Sequence, residues 1–262
     1  YREQPYNPCI LQSDVGCGIT GFVTEHVTFT PRVIADVLSA IDSLRSHIGQ
    51  GNHFIDFTTG HPSLDGTENS RKQNGGMVYI HSDFNNDNVV PRTYQEAKDA
   101  ENSAKSRRRL FIEHLFKTLG WNCELYHDWT HNTVTREDDV LVYRKGAIDT
   151  RATKGIALLA LNPIDGLYLS SATFKQYEHS MQHGTGRKGS KRALKNLMNK
   201  CKVGNTIGYW LTPEDRTPAL EQAKHDTYNT MDQYISHFGL EEKTIGFCTP
   251  KLVVGTKKSG GM

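Results

Sequence analysis

The pattern of apolar positions predicts three amphipathic helices. Thr30 and Pro31 supply an N-cap and a proline at the first helical position, and apolar residues then recur at helical spacing until about Ile48. Those residues are Val33, Val37, Leu38, Ile41 and Leu44. A second helix is predicted over residues 94–119 and a third over residues 218–238.

Short apolar runs bounded by turn residues predict strands between these helices. The runs cover residues 54–57, 76–81, 139–143, 155–161, 166–172 and 251–258. Strands and helices follow one another without a repeat, a low-complexity linker or a clear domain boundary. The pattern therefore predicts a single domain over residues 1–262.

Composition narrows the classes of function. Hydrophobic residues make up 36% of the 262 residues and the net charge is only +2, so binding to nucleic acid would need a local basic patch. The five cysteines have no paired spacing, which favours a reducing compartment, and we expect a cytoplasmic protein. Neither a signal peptide nor a membrane span of roughly 18 apolar residues is visible. The chain begins at Tyr1 rather than methionine, which leaves open a further N-terminal segment.

A glycine-rich stretch places a histidine beside an arginine. Gly184 and Gly186 let the backbone come close to a ligand, and Arg187 offers a planar fork for phosphate oxygens. Ser190 is predicted to begin a helix whose positive end faces the same place. His183 is then placed to attack phosphorus or to relay a proton. For this window alone, a glycine-rich turn with an incidental histidine is an equal alternative.

Potential metal ligands occur in turns and apolar runs. Asp14 and Cys17 are three apart in a turn, a spacing at which a carboxylate and a thiolate can reach one metal. For that pair alone, a tight turn with a buried free cysteine is favoured. His53 and Asp56 are polar groups in an apolar run. A core histidine with satisfied hydrogen bonds is the usual explanation, and a metal ligand is the more specific alternative.

Further histidines complete this set. His81 ends a predicted strand. His127 and His131 are four apart, but the residues around them make a regular helix doubtful, so only His131 is predicted to be a ligand. One carboxylate, one thiolate and three imidazoles suit one or two first-row transition metal ions. The predicted ligands are Asp14, Cys17, His53, His81 and His131. Together with His183 they indicate phosphoryl or nucleotidyl transfer.

Two basic clusters are candidates for contacts with RNA. Arg107, Arg108 and Arg109 spread around most of the second helix, so a solvated face is favoured over an RNA-contacting patch. Arg144 and Lys145 stand in a basic turn after a strand and are predicted to contact phosphate.

Six of these stretches, in order from residue 14 to residue 190, make the chain resemble the RtcB family of RNA-splicing ligases. They are Asp14-Val-Gly-Cys17-Gly, Gly51-Asn52-His53-Phe54, His81-Ser82, His131-Asn132, Arg144-Lys145-Gly146-Ala147 and His183-Gly-Thr-Gly-Arg187 with Ser190. Weaker matches surround Tyr228 and Lys257. The resemblance implies an α+β fold: a single RtcB-like domain with mixed β-sheets, surrounded by helices, around a central metal and nucleotide cleft.

The resemblance also implies a GTP- and manganese-dependent RNA ligase for RNA repair or tRNA splicing. Such an enzyme joins 2′,3′-cyclic phosphate or 3′-phosphate ends to 5′-hydroxyl ends, and His183 would carry GMP covalently. The five metal ligands would hold two Mn²⁺ ions, with Cys17 shared. The implied nucleotide contacts are Asn52, Asp56, His183, Gly184, Gly186, Arg187, Tyr228 and Lys257, and Arg144 and Lys145 would contact RNA phosphate. A monomer is expected, and archease is an accessory partner that family members can use.

The chain also departs from the family's pattern. It is much shorter than usual, and Asp83-Phe84-Asn85-Asn86 replaces a run with arginine that holds phosphate. Asp56 stands where the family has glutamate. The alternative activity is a metal-dependent phosphoesterase that acts on RNA termini without ligation. A non-catalytic module that binds RNA ends is the third hypothesis.

Overall fold

A computed structural model of the chain describes residues 5–25, 27–44, 53–59, 75–85, 88–171, 178–238 and 244–256. The helices are α1 (Pro8–Leu11), α2 (Pro31–Ser43), α3 (Tyr94–Leu119), α4 (Arg192–Asn196), α5 (Pro218–Thr227) and α6 (Met231–Phe238). The strands are β1 (Gly18–Glu25), β2 (Phe54–Thr59), β3 (Gly75–Ser82), β4 (Cys123–Thr130), β5 (Asn132–Glu137), β6 (Val140–Lys145), β7 (Ala147–Asp149), β8 (Ile156–Asn162), β9 (Gly166–Ser171), β10 (Ser180–Gln182), β11 (Asn199–Val203), β12 (Thr206–Trp210) and β13 (Thr244–Thr256). The predicted α+β class is confirmed.

The central sheet runs in the order β11-β12-β13-β2-β3-β1-β4, and β13 also pairs with β9, which pairs with β8. Two smaller sheets consist of β5–β6 and β7–β10. Every pairing between described strands is antiparallel. The expectation of mixed sheets is therefore wrong for the described part of the chain, since the parallel contact found there is an isolated bridge between Ala160 and Gly184.

The register of the sheet brings three chain segments together at one end. His81 of β3 lies opposite Ile19 of β1 and also opposite Phe54 of β2. Gly18, at the start of β1, pairs with Ser82 of β3 and with Thr130 of β4. Residues that flank these strand ends therefore meet, although they are far apart in sequence.

The two faces of the sheet are both covered. Alternating side chains such as Phe22, Ile55 and Val78 pack under α2 and α3, as the two-residue period of a strand requires. Their neighbours Ile19, Met77, Tyr79 and Trp129 point to the other face, where they pack against residues of β8 and β9. His81 has the same parity as Met77 and Tyr79, and so lies on this second face.

The long helix α3 matches its predicted span. The Thr93 side chain accepts a hydrogen bond from the Glu96 N–H, which caps the first turn. Gly120 ends the helix in the left-handed region with φ 68°. The helix α2 begins as predicted at Pro31 but ends at Ser43, with Leu44 as its C-cap, before the predicted end near Ile48. No helix of the described segments is long and apolar enough to cross a membrane.

Two helix predictions are corrected. The predicted helix over residues 218–238 is interrupted, because Tyr228 is extended (φ −123°, ψ 152°) and forms a bridge with Arg187. The helix expected to begin at Ser190 is only the short α4, whose N-cap Lys191 makes no side-chain capping bond. So short a helix has no macrodipole that could hold an anion.

Candidate metal centre and adjoining pocket

The turn that carries Cys17 is tied to the segment that carries His131. Gly16 has φ +82°, a conformation that favours glycine, and its N–H donates to the Asn132 carbonyl at 2.8 Å. The Cys17 carbonyl in turn accepts hydrogen bonds from the N–H groups of His131 and Asn132. These bonds hold the backbone of Cys17 beside the backbone of His131.

Four of the predicted metal ligands come together around Cys17 and His81. The Cys17 Sγ lies 3.3 Å from His81 Nε2 and 3.5 Å from His53 Nε2. The Nε2 atoms of His81 and His131 are 3.1 Å apart. The side chains form two overlapping groups that share His81: Cys17, His53 and His81, and then His81, His131 and His183.

The spacing and chemistry of these atoms fit a bound metal ion. Ligand atoms that each lie about 2.1–2.3 Å from one ion are separated by about 3.0–3.8 Å, which matches the observed distances. The Nδ1 of His131 is buried and has no hydrogen-bond partner among the described residues. By donor type alone, imidazole and thiolate favour a borderline metal such as zinc, whereas Mn²⁺ prefers oxygen ligands. Manganese is therefore an expectation from the resemblance.

His183 has a fixed orientation. Its backbone N–H donates to the Gly146 carbonyl at 3.0 Å, and its Nδ1 lies 2.8 Å from the same oxygen. Since a carbonyl only accepts, Nδ1 carries the proton and Nε2 keeps a lone pair. The His183 ring also stacks on the His131 ring, with centroids 3.8 Å apart. The site thus presents one imidazole nitrogen with an available electron pair.

Burial favours the neutral form of His183 and of His131. It lowers the pKa of His183, although the hydrogen bond to Gly146 opposes this. Burial also lowers the pKa of His131 well below its ordinary value, with further contributions from His183, His81 and Arg108. The neutral form is the one that binds a metal or attacks an electrophile. Burial raises the pKa of the Cys17 thiol, as does the charge of Asp83.

A pocket of about 230 Å³ opens beside the histidines. The lining includes the histidines His53, His81 and His183, and also both acidic and basic groups. The polar lining residues are His53, Asp56, His81, Asn162, Gln182, His183, Arg187, Lys191, Lys195, Tyr209 and Tyr228. The pocket therefore joins the candidate metal centre to a set of cations suited to an anionic ligand.

One buried carboxyl faces this pocket. Asp56 is 4% exposed, and its Oδ1 has no hydrogen-bond partner among the described residues. Burial raises the pKa of Asp56 to about 8, although nearby Lys191 lowers it. Burial together with Lys195 and Arg187 lowers the pKa of Lys191 to about 8. A ligand with a hydrogen-bond donor would satisfy the unpaired Asp56 oxygen.

The predicted nucleotide contacts lie partly in this pocket. Gly184, Gly186, Arg187 and Tyr228 all line it. Gly186 has φ +79°, so a side chain at that position would be strained. The predicted contacts Asn52 and Lys257 lie outside the described residues.

Other predicted site residues take different positions. Asp14 is exposed and belongs to neither ligand group, although its charge acts on Cys17. His127, which was not predicted to be a ligand, belongs to neither group and packs against Trp129, with ring centroids 4.9 Å apart. Asp83 belongs to neither ligand group, although its charge raises the pKa of the Cys17 thiol.

Arg144 is a structural residue. Its guanidinium is 1% exposed and makes four hydrogen bonds and an ion pair inside the fold. The hydrogen-bond acceptors are Thr135, Glu137, Ser180 and the Glu178 carbonyl, and the ion pair with Asp149 spans 3.3 Å. A guanidinium buried in this way is not presented to an RNA phosphate, which corrects that prediction. Lys145 is exposed, and its Nζ donates to the Ile10 carbonyl at 3.1 Å.

The three adjacent arginines of α3 do not share one environment. Arg107 and Arg109 are exposed, as expected for a solvated face, and Arg109 pairs with Glu113 at 2.7 Å. Arg108 is fully buried, so the solvated-face prediction is wrong for this residue.

The described site therefore combines a Cys/His cluster, an oriented histidine and a pocket with basic walls. No family model matches the chain, and no curated protein matches it.

Proposed function

We propose that the protein is an RtcB-like RNA ligase that uses GTP and Mn²⁺ to join 2′,3′-cyclic phosphate or 3′-phosphate RNA ends to 5′-hydroxyl ends. The observation that carries this proposal is the position of His183. Its Nδ1 is held by Gly146, which leaves the Nε2 lone pair beside a metal-ligating cluster at the end of a basic pocket. A nucleophile, a metal centre and an anion site in this arrangement suit nucleotidyl transfer.

His183 supplies the nucleophile. The Nε2 lone pair forms a bond to the α-phosphorus of GTP while the bond to the bridging oxygen breaks and pyrophosphate leaves. An RNA 3′-phosphate oxygen then takes GMP as the nitrogen–phosphorus bond breaks, after water has opened any cyclic phosphate. The 5′-hydroxyl attacks the activated phosphate and displaces GMP, and its proton passes to water. Gly146 keeps the His183 proton on Nδ1 throughout.

The other residues bind and orient the substrate. Cys17, His53, His81 and His131 would hold the metal, which supplies polarisation of the phosphoryl oxygens when bound. Arg187 and Lys191 line the pocket and offer cationic donors to phosphate. Asp56 offers its unpaired oxygen to a donor on the nucleobase. The apolar part of the lining, which includes Phe54 and Leu167, excludes water from the base.

A second candidate is a metal-dependent phosphoesterase that acts on RNA termini. Its support is the group of His81, His131 and His183, whose ligand atoms lie within 4.8 Å of one another. In that arrangement His183 is a third imidazole ligand and forms no covalent intermediate. Water would then be the nucleophile, and the RNA phosphate would leave without being joined.

Labelling of the protein separates the two activities. The full chain is incubated with Mn²⁺ and GTP labelled at its α-phosphate, denatured, and examined for retained label. A ligase retains acid-labile, alkali-stable label that disappears in His183→Ala and persists in His225→Ala, a matched exposed histidine on α5. Absence of label with GTP or any other nucleotide, despite bound Mn²⁺, contradicts the ligase. Release of phosphate from RNA 3′-phosphate ends would then support the phosphoesterase.

A further inference from the structure

Arg108 reaches from α3 into the centre of the fold, and its side chain is 0% exposed. The Nη1 donates to the carbonyl oxygens of Gly16 and Ser82, each at 2.7 Å. The Nη2 donates to Thr130 Oγ1 at 3.2 Å and to Asp128 Oδ2 at 2.9 Å. With the bond from Nε to Thr20 Oγ1 at 2.8 Å, all five N–H groups have acceptors.

Three of these acceptors adjoin three metal ligands in sequence. Gly16 directly precedes Cys17, and Ser82 directly follows His81. Thr130 directly precedes His131. One guanidinium therefore touches the backbone or side chain next to each of three ligands that come from separate segments.

We propose that Arg108 is a positioning residue for the metal centre, where its planar guanidinium fixes the relative placement of Cys17, His81 and His131. The inference rests on the metal site of the proposed function. The guanidinium is rigid and its donors diverge in one plane, so it holds three segments at set distances. A lysine at the same position has a single nitrogen and cannot satisfy these acceptors together.

The surroundings of Arg108 are shaped to admit it. A Cβ placed on Gly18 would lie 2.9 Å from Arg108 Nη2 and 2.8 Å from the Thr130 Cα. Glycine is therefore favoured at this position, where the guanidinium lies against the paired strands β1 and β4. Asp128 balances the buried charge, and Thr20 and Thr130 also donate hydrogen bonds to that carboxylate.

Arg144 provides a matched comparison within the same chain. It is similarly buried and makes four hydrogen bonds and an ion pair, but none of these partners is next to Cys17, His81 or His131. Loss of either guanidinium should destabilise the fold, since each leaves buried acceptors unpaired. Only the loss of Arg108 should also disturb the metal centre.

The test measures Co²⁺ binding to the full chain without nucleotide or RNA. Thermal unfolding gives the stability of Arg108→Lys and Arg144→Lys, and the thiolate-to-cobalt charge-transfer absorption reports ligation by Cys17. We expect Arg108→Lys to raise the Co²⁺ dissociation constant by about tenfold or more and to alter the absorption band. We expect Arg144→Lys to lower the unfolding temperature as much as Arg108→Lys does, while its Co²⁺ dissociation constant changes less than about twofold.

If Arg108→Lys fails to fold, a milder pair of variants tests the same proposal. Thr130→Val removes one acceptor and keeps Arg108, and Thr58→Val removes a buried threonine hydroxyl that donates elsewhere, to the Met77 carbonyl. Only Thr130→Val should weaken Co²⁺ binding. Unchanged Co²⁺ binding in both Arg108→Lys and Thr130→Val, or equal weakening in the two lysine variants, overturns the positioning role alone. If the unaltered protein binds neither Co²⁺ nor Mn²⁺, the metal site of the proposed function fails as well.

Discussion

The His183 ring lies nearly parallel to the His131 ring, with centroids 3.8 Å apart and an angle of 15° between the planes. Two stacked imidazoles at this distance cannot both carry a charge without strong repulsion. The proposed nucleophile and a proposed metal ligand are therefore coupled, because protonation of one ring disfavours protonation of the other.

Removal of the shared ligand should have the largest effect on metal binding. His81 belongs to both ligand groups, whereas His53 belongs to one. We expect His81→Ala to abolish tight binding of metal and His53→Ala to reduce the number of ions bound or their affinity. Metal content after dialysis against Mn²⁺ or Zn²⁺ measures this, with His225→Ala as the control. Equal metal content in the two variants would contradict the central position of His81 in the cluster.

A metal that binds only the folded chain should stabilise it. At a metal concentration of about 100 times the dissociation constant, the expected gain is about 2.7 kcal/mol. Addition of Mn²⁺ or Zn²⁺ to metal-free protein should therefore raise the unfolding temperature, and a chelator should reverse the change. The same additions should leave the unfolding temperature of His81→Ala unaltered. A similar rise in the unfolding temperature of His81→Ala would show that the metal binds elsewhere.

Asp56 should make stability depend on pH. Its pKa is raised from an ordinary value near 3.9 to about 8, because it is buried. The folded state thus prefers the protonated carboxyl, and stability present below the unfolded pKa is lost as the pH rises through the folded pKa. Asp56→Asn should be more stable than the unaltered protein at pH 8, by roughly 1–3 kcal/mol, and similar to it at pH 4. Denaturant titrations at both pH values measure the difference, and a constant difference would show that Asp56 is ionised throughout.

Gly18 should not tolerate a larger side chain. In Gly18→Ala the new Cβ meets the Thr130 Cα and the Arg108 guanidinium, both closer than 3.0 Å. We expect a loss of about 1–3 kcal/mol in the free energy of unfolding, as is usual for overpacking. Gly255→Ala is the matched control, since nothing lies within 4 Å of a Cβ at that position of β13. Chemical denaturation of the two variants gives the comparison.

Arg187 should contribute to nucleotide binding. It lines the pocket and has an exposed side chain that can pair with phosphate in a planar, two-point contact. We expect Arg187→Ala to weaken GTP binding by about 10- to 100-fold, from the loss of charged hydrogen bonds worth about 1.5–3 kcal/mol. Arg109→Ala, which removes an exposed arginine of α3, is the control in the same binding titration. Unaltered GTP affinity in Arg187→Ala would show that the phosphates bind away from the glycine-rich turn.

The sequence indicated the candidate ligands better than it indicated the residues that support them. Cys17, His81 and His131 stand in turns or at strand ends, where polar residues that do not fit the apolar pattern are visible without a structure. The burial of Arg108 could not be predicted, because its helix has charged residues on most faces. The interruption of the predicted helix at Tyr228 could not be predicted either, because the bridge to Arg187 is a contact between distant segments. The pairing of the strands likewise depends on long-range contacts that no local pattern contains.

The acceptor that orients His183 belongs to the main chain. Because the Gly146 carbonyl is part of every possible sequence, no side-chain replacement can delete the bond that sets the tautomer. The one position at which a substitution should act on this bond through the backbone is Gly146 itself, since its φ of +73° would strain any other residue. Substitution of Gly146 should therefore disturb the carbonyl that sets the proton position of His183, although a Cβ there would make only an ordinary contact with the ring.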